Sequence, residues 1–175
     1  RREWSDVELD FATGFEPEPH HLLMEGDIDL LITTSNLPLE GISYQPLFEY
    51  ESRLVLSPTH DLATQHTIQP NDLIDETLIA YPVEAKRLDI IANFMTPAEV
   101  SFDSIRTTEL TAMLIQLVAS ERGVAALPDW VVAEYEKKGW VVSRKLGDGV
   151  YCQLYAATRT SSQDSAYMQG FASLL

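Results

Sequence analysis

The sequence predicts an α/β protein, and three observations carry that prediction. Apolar runs of strand length alternate with amphipathic segments of helical period along the chain. Glycine or proline stands at most of the boundaries between them. The pattern also restarts after "SRLVLSP", and "YCQLYAATR" is placed to carry the chain back, which suggests two lobes joined by two crossing strands.

Taken in order, "RREWSDV" reads as a helix tail, and "VELDFATG" alternates as a strand that leaves into a loop at Gly14. In "EPEPHHLLMEGD", Pro19 stands near a helix start and Gly26 at its stop, with Leu22, Leu23 and Met24 assigned to the buried side. "IDLLIT" is a continuous apolar run, the pattern of a parallel strand covered on both faces. Strand, short helix and strand then form a βαβ unit with a right-handed crossover. "LPLEGISYQPLFEY", with Pro38, Gly41 and Pro46, reads as loop, and "SRLVLSP" as a strand closed by Pro58.

"IQPNDLIDE" places Pro70 in a first helical turn beside Asn71 and Asp72. "TLIAYP" is a buried strand stopped by Pro82, and "EAKRLDIIANFM" sets Leu88, Ile91 and Met95 at helical spacing. "SFDSIRT" alternates as a strand and delivers Thr107 and Thr108 to the helix "ELTAMLIQLVASERG". The stripe of that helix is Leu110, Leu114, Leu117 and Val118, and its stop is Gly123. "VAALP" is a short buried strand, after which Pro128 and Asp129 open the helix "WVVAEYEKKG", ended by Gly139. "WVVSRKL" and "YCQLYAATR" are strands about a "GDG" turn read as a hairpin, and "DSAYMQGFASLL" is a closing amphipathic helix.

Composition narrows the function. Twelve basic residues stand against 27 acidic ones, a net charge of −15 in 175 residues. Nucleic-acid binding draws its affinity from lysine and arginine meeting phosphates, so this surface repels DNA. No apolar run approaches the roughly 20 residues that span a bilayer. Cys152 is the single cysteine, which excludes an internal disulfide and fits a reducing cytosol. No secretory signal is read at the start.

A search for catalytic patterns finds no G-x-S-x-G elbow, no phosphate-binding G-x-x-x-x-G-K-[ST] loop, no H-E-x-x-H and no paired C-x-x-C. No catalytic residue, metal ligand or cofactor is therefore assigned. His20 and His21 are adjacent, point about 100° apart on a helix, and read as a solvated face. His60 and His66 fall in a loop, and Cys152 reads as buried and inert. What remains is a set of polar breaks at the ends of apolar strands. They are Thr13 and Gly14, then Thr33, Thr34 and Ser35, then Tyr81, then Thr107 and Thr108, and finally the backbone amides about Pro128. Ligands of open α/β sheets sit at the carboxyl ends of strands, where helix amino termini offer free N–H groups. Hydroxyls there bind a ligand without the desolvation cost of a buried charge. Thr and Ser are also ordinary helix caps, but their recurrence at successive strand ends points to a small-molecule cleft. The breaks hold no cation except Arg106, which disfavours a highly charged ligand.

"EGDIDLLITTS", "PLEGISYQPLFEYESRLVLSPTHDLA" and "LIQLVASERGVAALPDWVV" closely resemble the effector-binding half of LysR-type transcriptional regulators. Within that family, "ETLIAYPVEAKRLD", "LPDWVVAEYEKKGWVVSRKLGDG" and "LYAATR" are most similar to the branch that regulates methionine biosynthesis. The resemblance covers essentially the whole chain in order. It implies two Rossmann-like lobes of the type 2 periplasmic-binding-protein kind, lobe I over residues 1–52 and 155–175 and lobe II over 53–154. It places the effector between the lobes and, for this branch, makes it homocysteine. The residues it assigns to the effector are Thr13, Gly14, Thr33, Thr34, Tyr81, Thr107 and Thr108, with Ala126 and Pro128 at the floor. Glu109 or Glu16 would take the ammonium, and Phe15 or Tyr81 would pack the side chain.

The family's winged helix-turn-helix, its first effector-domain strand and most of its first helix have no counterpart here, so lobe I is expected to be incomplete. The resemblance further implies a cytoplasmic homo-oligomer that meets DNA through the helix-turn-helix, with RNA polymerase as a partner of the intact regulator and no membrane. Two other classes share the scaffold. A transport-type solute-binding protein would carry an export signal, and a dehydratase or deaminase-type enzyme would need an acid–base pair where these strand ends offer hydroxyls.

Overall fold

The computed structural model describes residues 8, 10, 11, 19–162, 165, 168 and 170. The strand expected at Val7–Gly14 and the helix expected at the carboxyl end fall mostly outside these residues, although Met168 is described and buried. The chain divides into two compact units, Arg1–Glu49 with Gln153–Leu175, and Tyr50–Cys152. Both boundaries fall inside long strands, β2 (Ile42–Leu56) and β8 (Val150–Arg159), which carry the chain from one unit to the other.

In the first unit, α1 (Pro19–Glu25) ends at Gly26, whose φ of +88° suits glycine. The N–H groups of Gly26 and Asp27 both donate to the Leu22 carbonyl, at 3.2 and 3.0 Å. Leu23 is fully buried and packs with Ile42 and Ala157, bordered by Ile28, Leu31 and Tyr44. Met24, expected inside, is half exposed, because consecutive helical residues point about 100° apart and this short helix turns one narrow face inward. β1 (Leu30–Thr33) pairs with β8 antiparallel, Leu30 opposite Thr158 and Thr33 opposite Tyr155. It is not the doubly covered parallel strand that its apolar run suggests, since Ile32 is 43% exposed. Arg159, at the end of β8, ties the unit together. Its Nη1 donates to the carbonyls of Leu23 and Ile28, both at 2.7 Å, and its Nη2 to Asp29 at 2.6 Å.

The second unit is a mixed assembly rather than the mostly parallel one expected. β4 (Thr77–Ala80) and β5 (Ser104–Thr107) are parallel, as are β3 (Thr67–Ile68) and β7 (Val142–Leu146). The carboxyl half of β2 runs antiparallel to both β6 (Ala125–Pro128) and β7. The difference has a topological cause, because a strand that carries the chain between units meets neighbours running the other way. β2 is also longer than expected and absorbs the predicted loop about Pro46, an exposed residue within the strand. β7 and β8, read as a hairpin about "GDG", do not pair with each other. A parallel bridge between Leu78 and Val124 sets the start of β6 beside β4.

α2 (Thr111–Ala119) and α3 (Asp129–Glu136) pack on this framework through a core of Val55, Ile79, Leu114, Ile115, Val118, Ala125, Leu127, Val132 and Val141. The buried stripe of α2 is Leu114, Ile115 and Val118, while Leu110, expected on it, is 68% exposed because the helix begins one residue later. The predicted helix about Ile91 is a 3-10 turn at Ala85–Arg87 and a π turn at Ile91–Met95. The wider π turn buries Ile90, Phe94 and Met95 in place of an even Leu88, Ile91 and Met95 stripe.

Candidate functional site

Because β4, β5 and the entry to β6 run parallel, their carboxyl ends share one edge of the second unit. The sheet pairing continues one residue past β5, where the Thr108 N–H donates to the Ala80 carbonyl at 3.0 Å. Tyr81 follows directly after β4, and Thr107 and Thr108 end β5, so the structure brings these three together. Thr107 is exposed and Thr108 half-buried. Pro128 ends β6 on the same edge, opposite Ser52 of β2. Ala126 sits two residues earlier, inside the strand opposite Leu54, and not at its end.

Two helices start from this edge. Leu110 holds the cap position of α2 in extended conformation and supplies no side-chain hydrogen bond. The cap residue therefore offers the first-turn N–H groups of α2 no side-chain acceptor, and that turn carries no acidic residue. α3 differs, for Asp129 stands in its first turn and meets the positive end of its dipole.

The Tyr81 phenol and the Thr111 hydroxyl form a 2.7 Å hydrogen bond that ties the end of β4 to the first residue of α2. Burial pushes the Tyr81 phenol above the ordinary tyrosine range, so it stays protonated at neutral pH. Arg106 and Glu109 beside the threonines are exposed.

In the first unit, β1 ends at Thr33 and Thr34. The Thr33 hydroxyl accepts the Ser35 N–H at 3.1 Å, while Thr34 is exposed. Asn36 Nδ2 donates to the Tyr155 hydroxyl at 3.2 Å, and Tyr155 lies opposite Thr33 in the β1–β8 ladder. Tyr44 meets the Tyr155 ring edge-on, with centroids 6.4 Å apart. Thr13, Gly14, Phe15 and Glu16 lie outside the described residues.

Thr111 and Tyr155 are polar residues of these two edges that the sequence reading passed over. Thr111 is hidden inside a helix read for its leucines, although it follows Thr108 by one helical turn. Tyr155 was legible only through the register that sets it opposite Thr33.

Elsewhere the titratable groups serve structure. His21 pairs with Glu25 on the exposed face of α1, but His20 is half-buried with its ring edge-on to Tyr44, against the solvated face expected. His60 Nδ1 accepts the Leu62 N–H, and its Nε2 lies 3.5 Å from Glu76. Burial, reinforced by the Asp89 carboxylate, pushes the Cys152 thiol up to about 12, so it stays a neutral packing group. The same carboxylate accepts the Tyr50 hydroxyl at 2.7 Å. Among the described residues no group of three or more His, Cys, Asp or Glu is placed to hold a metal ion, and no helix is long and apolar enough to cross a membrane. The threonine-lined edge is thus suited to holding a small acceptor ligand by neutral hydroxyls and backbone amides.

The LysR substrate binding domain family matches residues 1–175. The chain is 44% identical to the HTH-type transcriptional regulator MetR of Escherichia coli over 97% of its own length and 53% of the relative's. It is likewise 44% identical to MetR of Salmonella typhimurium, over 98% of this chain and 54% of that protein. The chain thus spans about half the length of the curated relatives it matches. Among solved structures, the regulatory domain of MetR from N. meningitidis superposes with a TM-score of 0.88 at 42% identity, covering 99% of this chain and 81% of that one. The fold is the mixed α/β, type 2 periplasmic-binding-protein-like fold of LysR regulatory domains, and these relatives are transcriptional regulators, not enzymes. The chain belongs to the LysR substrate-binding-domain family, the effector-binding module of LysR-type transcriptional regulators.

Proposed function

We propose that this domain senses homocysteine and, within an intact regulator, controls the transcription of methionine-biosynthesis genes. The observation that carries the reading is the carboxyl edge of β4, β5 and β6, where Tyr81, Thr107 and Thr108 gather beside the uncapped first turn of α2. A carboxylate only accepts hydrogen bonds, and this edge offers neutral hydroxyl and amide donors. The names of the relatives, methionine regulators, support the choice of an amino acid on the methionine route. The family resemblance assigns Thr33 and Thr34 of the first unit, and Thr13 and Gly14, to the same effector, with Ala126 and Pro128 behind it.

An effector shifts a regulator only through unequal affinity for its two states, so binding is the first quantity to measure. Operator DNA is, in this reading, contacted by a helix-turn-helix outside these 175 residues. The working regulator is a cytoplasmic homo-oligomer that meets RNA polymerase at the promoter.

Calorimetric titration with homocysteine, methionine and cysteine tests the assignment. Homocysteine is expected to give the tightest saturable binding, and Thr107→Ala to weaken it by about 10-fold or more, the loss of a hydrogen bond to a charged group. Equal or absent heats for the three amino acids would remove the effector assignment, and unchanged binding in Thr107→Ala would remove the site.

A further inference from the structure

An amino acid held at its carboxylate by hydroxyl and amide donors still needs an acceptor for its ammonium. Of the two candidates read from the sequence, Glu16 lies outside the described residues and Glu109 is exposed, where water screens its charge. The second unit holds a better-placed carboxylate. Tyr50 lies two residues before Ser52, the residue of β2 opposite Pro128, so it stands just past the end of β6 at the carboxyl edge. Its hydroxyl donates to Asp89 Oδ2 at 2.7 Å. Asp89 lies on the segment that leaves this same edge after β4, beyond the 3-10 turn at Ala85–Arg87.

The direction of that bond follows from its partners, since a carboxylate has no proton to give. Tyr50 is only 6% exposed, so its phenol is a packed anchor that orients the carboxylate. The Cys152 thiol lies against the same carboxylate. A phenol and a thiol use about two of the roughly four acceptor positions of a carboxylate, and neither brings a positive charge. Lys86 pairs with Glu84 and Arg53 with Glu51, and among the described residues no basic side chain pairs with Asp89. Asp89 is half-buried, and an anion in such a place is costly until a cation joins it.

We propose that Asp89 accepts the ammonium of the effector, and that Tyr50 is its positioning residue. This rests on the reading of the domain as a homocysteine sensor, and it names the group that makes the site select an amino acid over a plain carboxylic acid. Asp89 supplies the charge that the ammonium requires, and Tyr50 holds that charge in one direction. The neutral donors at the ends of β4 and β5 are left to the carboxylate.

The test is calorimetric titration of the full chain with homocysteine and with 4-mercaptobutanoate, the same molecule without its amino group. The unaltered protein is expected to bind homocysteine about 10-fold or more tightly than the analogue, the worth of a hydrogen bond to a charged group. That comparison needs no substitution, so it holds whatever a variant does to folding. Asp89→Asn keeps an acceptor for Tyr50 and removes the charge. It is expected to weaken homocysteine binding by about 10-fold or more and to leave the analogue within about twofold, which brings the two ligands level. Tyr50→Phe is expected to cost homocysteine severalfold with the analogue again unmoved, whereas a merely structural role would weaken both alike. Equal binding of the two ligands by the unaltered chain, equal losses in Asp89→Asn, or full homocysteine affinity in Asp89→Asn would each overturn the proposal. Full affinity in Asp89→Asn beside weakened binding in Thr107→Ala would overturn it while leaving the homocysteine reading in place. Absence of homocysteine binding in the unaltered chain would overturn both.

Discussion

Arg159 shows how one side chain can close a helix, a strand and a turn at once. Its guanidinium, 20% exposed, reaches the Leu23 carbonyl near the end of α1 and the Ile28 carbonyl before β1. The contact with Asp29 adds little, because that carboxylate is 68% exposed and water screens the pair. The two carbonyl bonds carry the stabilisation, since removing the donor leaves backbone acceptors unsatisfied in a partly buried site. Arg159→Ala is expected to destabilise the first unit by about 2–3 kcal/mol. Arg159→Lys should recover only part of that loss, because an ammonium lacks the planar fork that serves two acceptors. Urea unfolding followed by circular dichroism checks this through a lower midpoint at unchanged slope. An alanine variant with the unaltered midpoint would show that water replaces the guanidinium at no cost.

At the scale of elements, the turn from α2 to β6 is where backbone conformation is most demanding. Glu121, at φ +56°, takes a left-handed conformation that costs a non-glycine residue about 1 kcal/mol. The bonds from Glu121 N–H to Val118 and from Arg122 N–H to Leu117 close the helix there. Its carboxylate in turn accepts the Thr59 hydroxyl, a contact outside the helix that holds the turn in place. Gly123 follows at φ +147°, and a Cβ there would press into the Thr77 carbonyl oxygen and lie 3.1 Å from Ile79 Cγ1. That close approach is what lets Val124 N–H donate to Thr77 and Ile79 N–H to Val124, joining β4 to the start of β6. Gly123→Ala is therefore expected to cost about 2–4 kcal/mol, combining strain with loss of bridge bonds. Thermal and urea unfolding of the variant measure it, and a cost below about 1 kcal/mol would mean the junction relaxes freely.

Much of this order was legible. Gly26 and Gly139 lie at the helix stops expected of them, because a glycine after an apolar stripe has few other uses. Gly123 does not stop α2, which ends at Ala119 and is closed by Glu121 in the left-handed conformation. The extension of β2 through Pro46 and the separation of β7 from β8 were not legible, since both depend on which strands lie side by side. Local sequence reports a turn, not the partner across it.

On the scale of the whole molecule, the threonines at the ends of β1 and β5 could be picked out because hydroxyls interrupt apolar runs there. The role of Tyr81 could not, since an aromatic after a strand reads equally as a ligand wall or a core edge until its hydroxyl partner is known. Charge is a property of the molecule that the sequence supplies outright. With 12 basic and 27 acidic residues, the field around this domain is negative. Several of the cations are already engaged, Arg53 with Glu51 and Ser143, Arg144 with the Ala63 carbonyl, and Arg159 as described above. Duplex DNA presents about one negative charge per 1.7 Å, and a binder must replace its counterions with lysine or arginine. This chain alone is expected not to retard duplex DNA in a gel, even at about 50 mM salt, where such contacts are strongest. Addition of homocysteine should leave that result unchanged, because a neutral amino acid does not alter the field. Retardation that weakens steeply with salt would instead reveal a basic face within these residues, and would place part of DNA recognition inside the effector-binding domain.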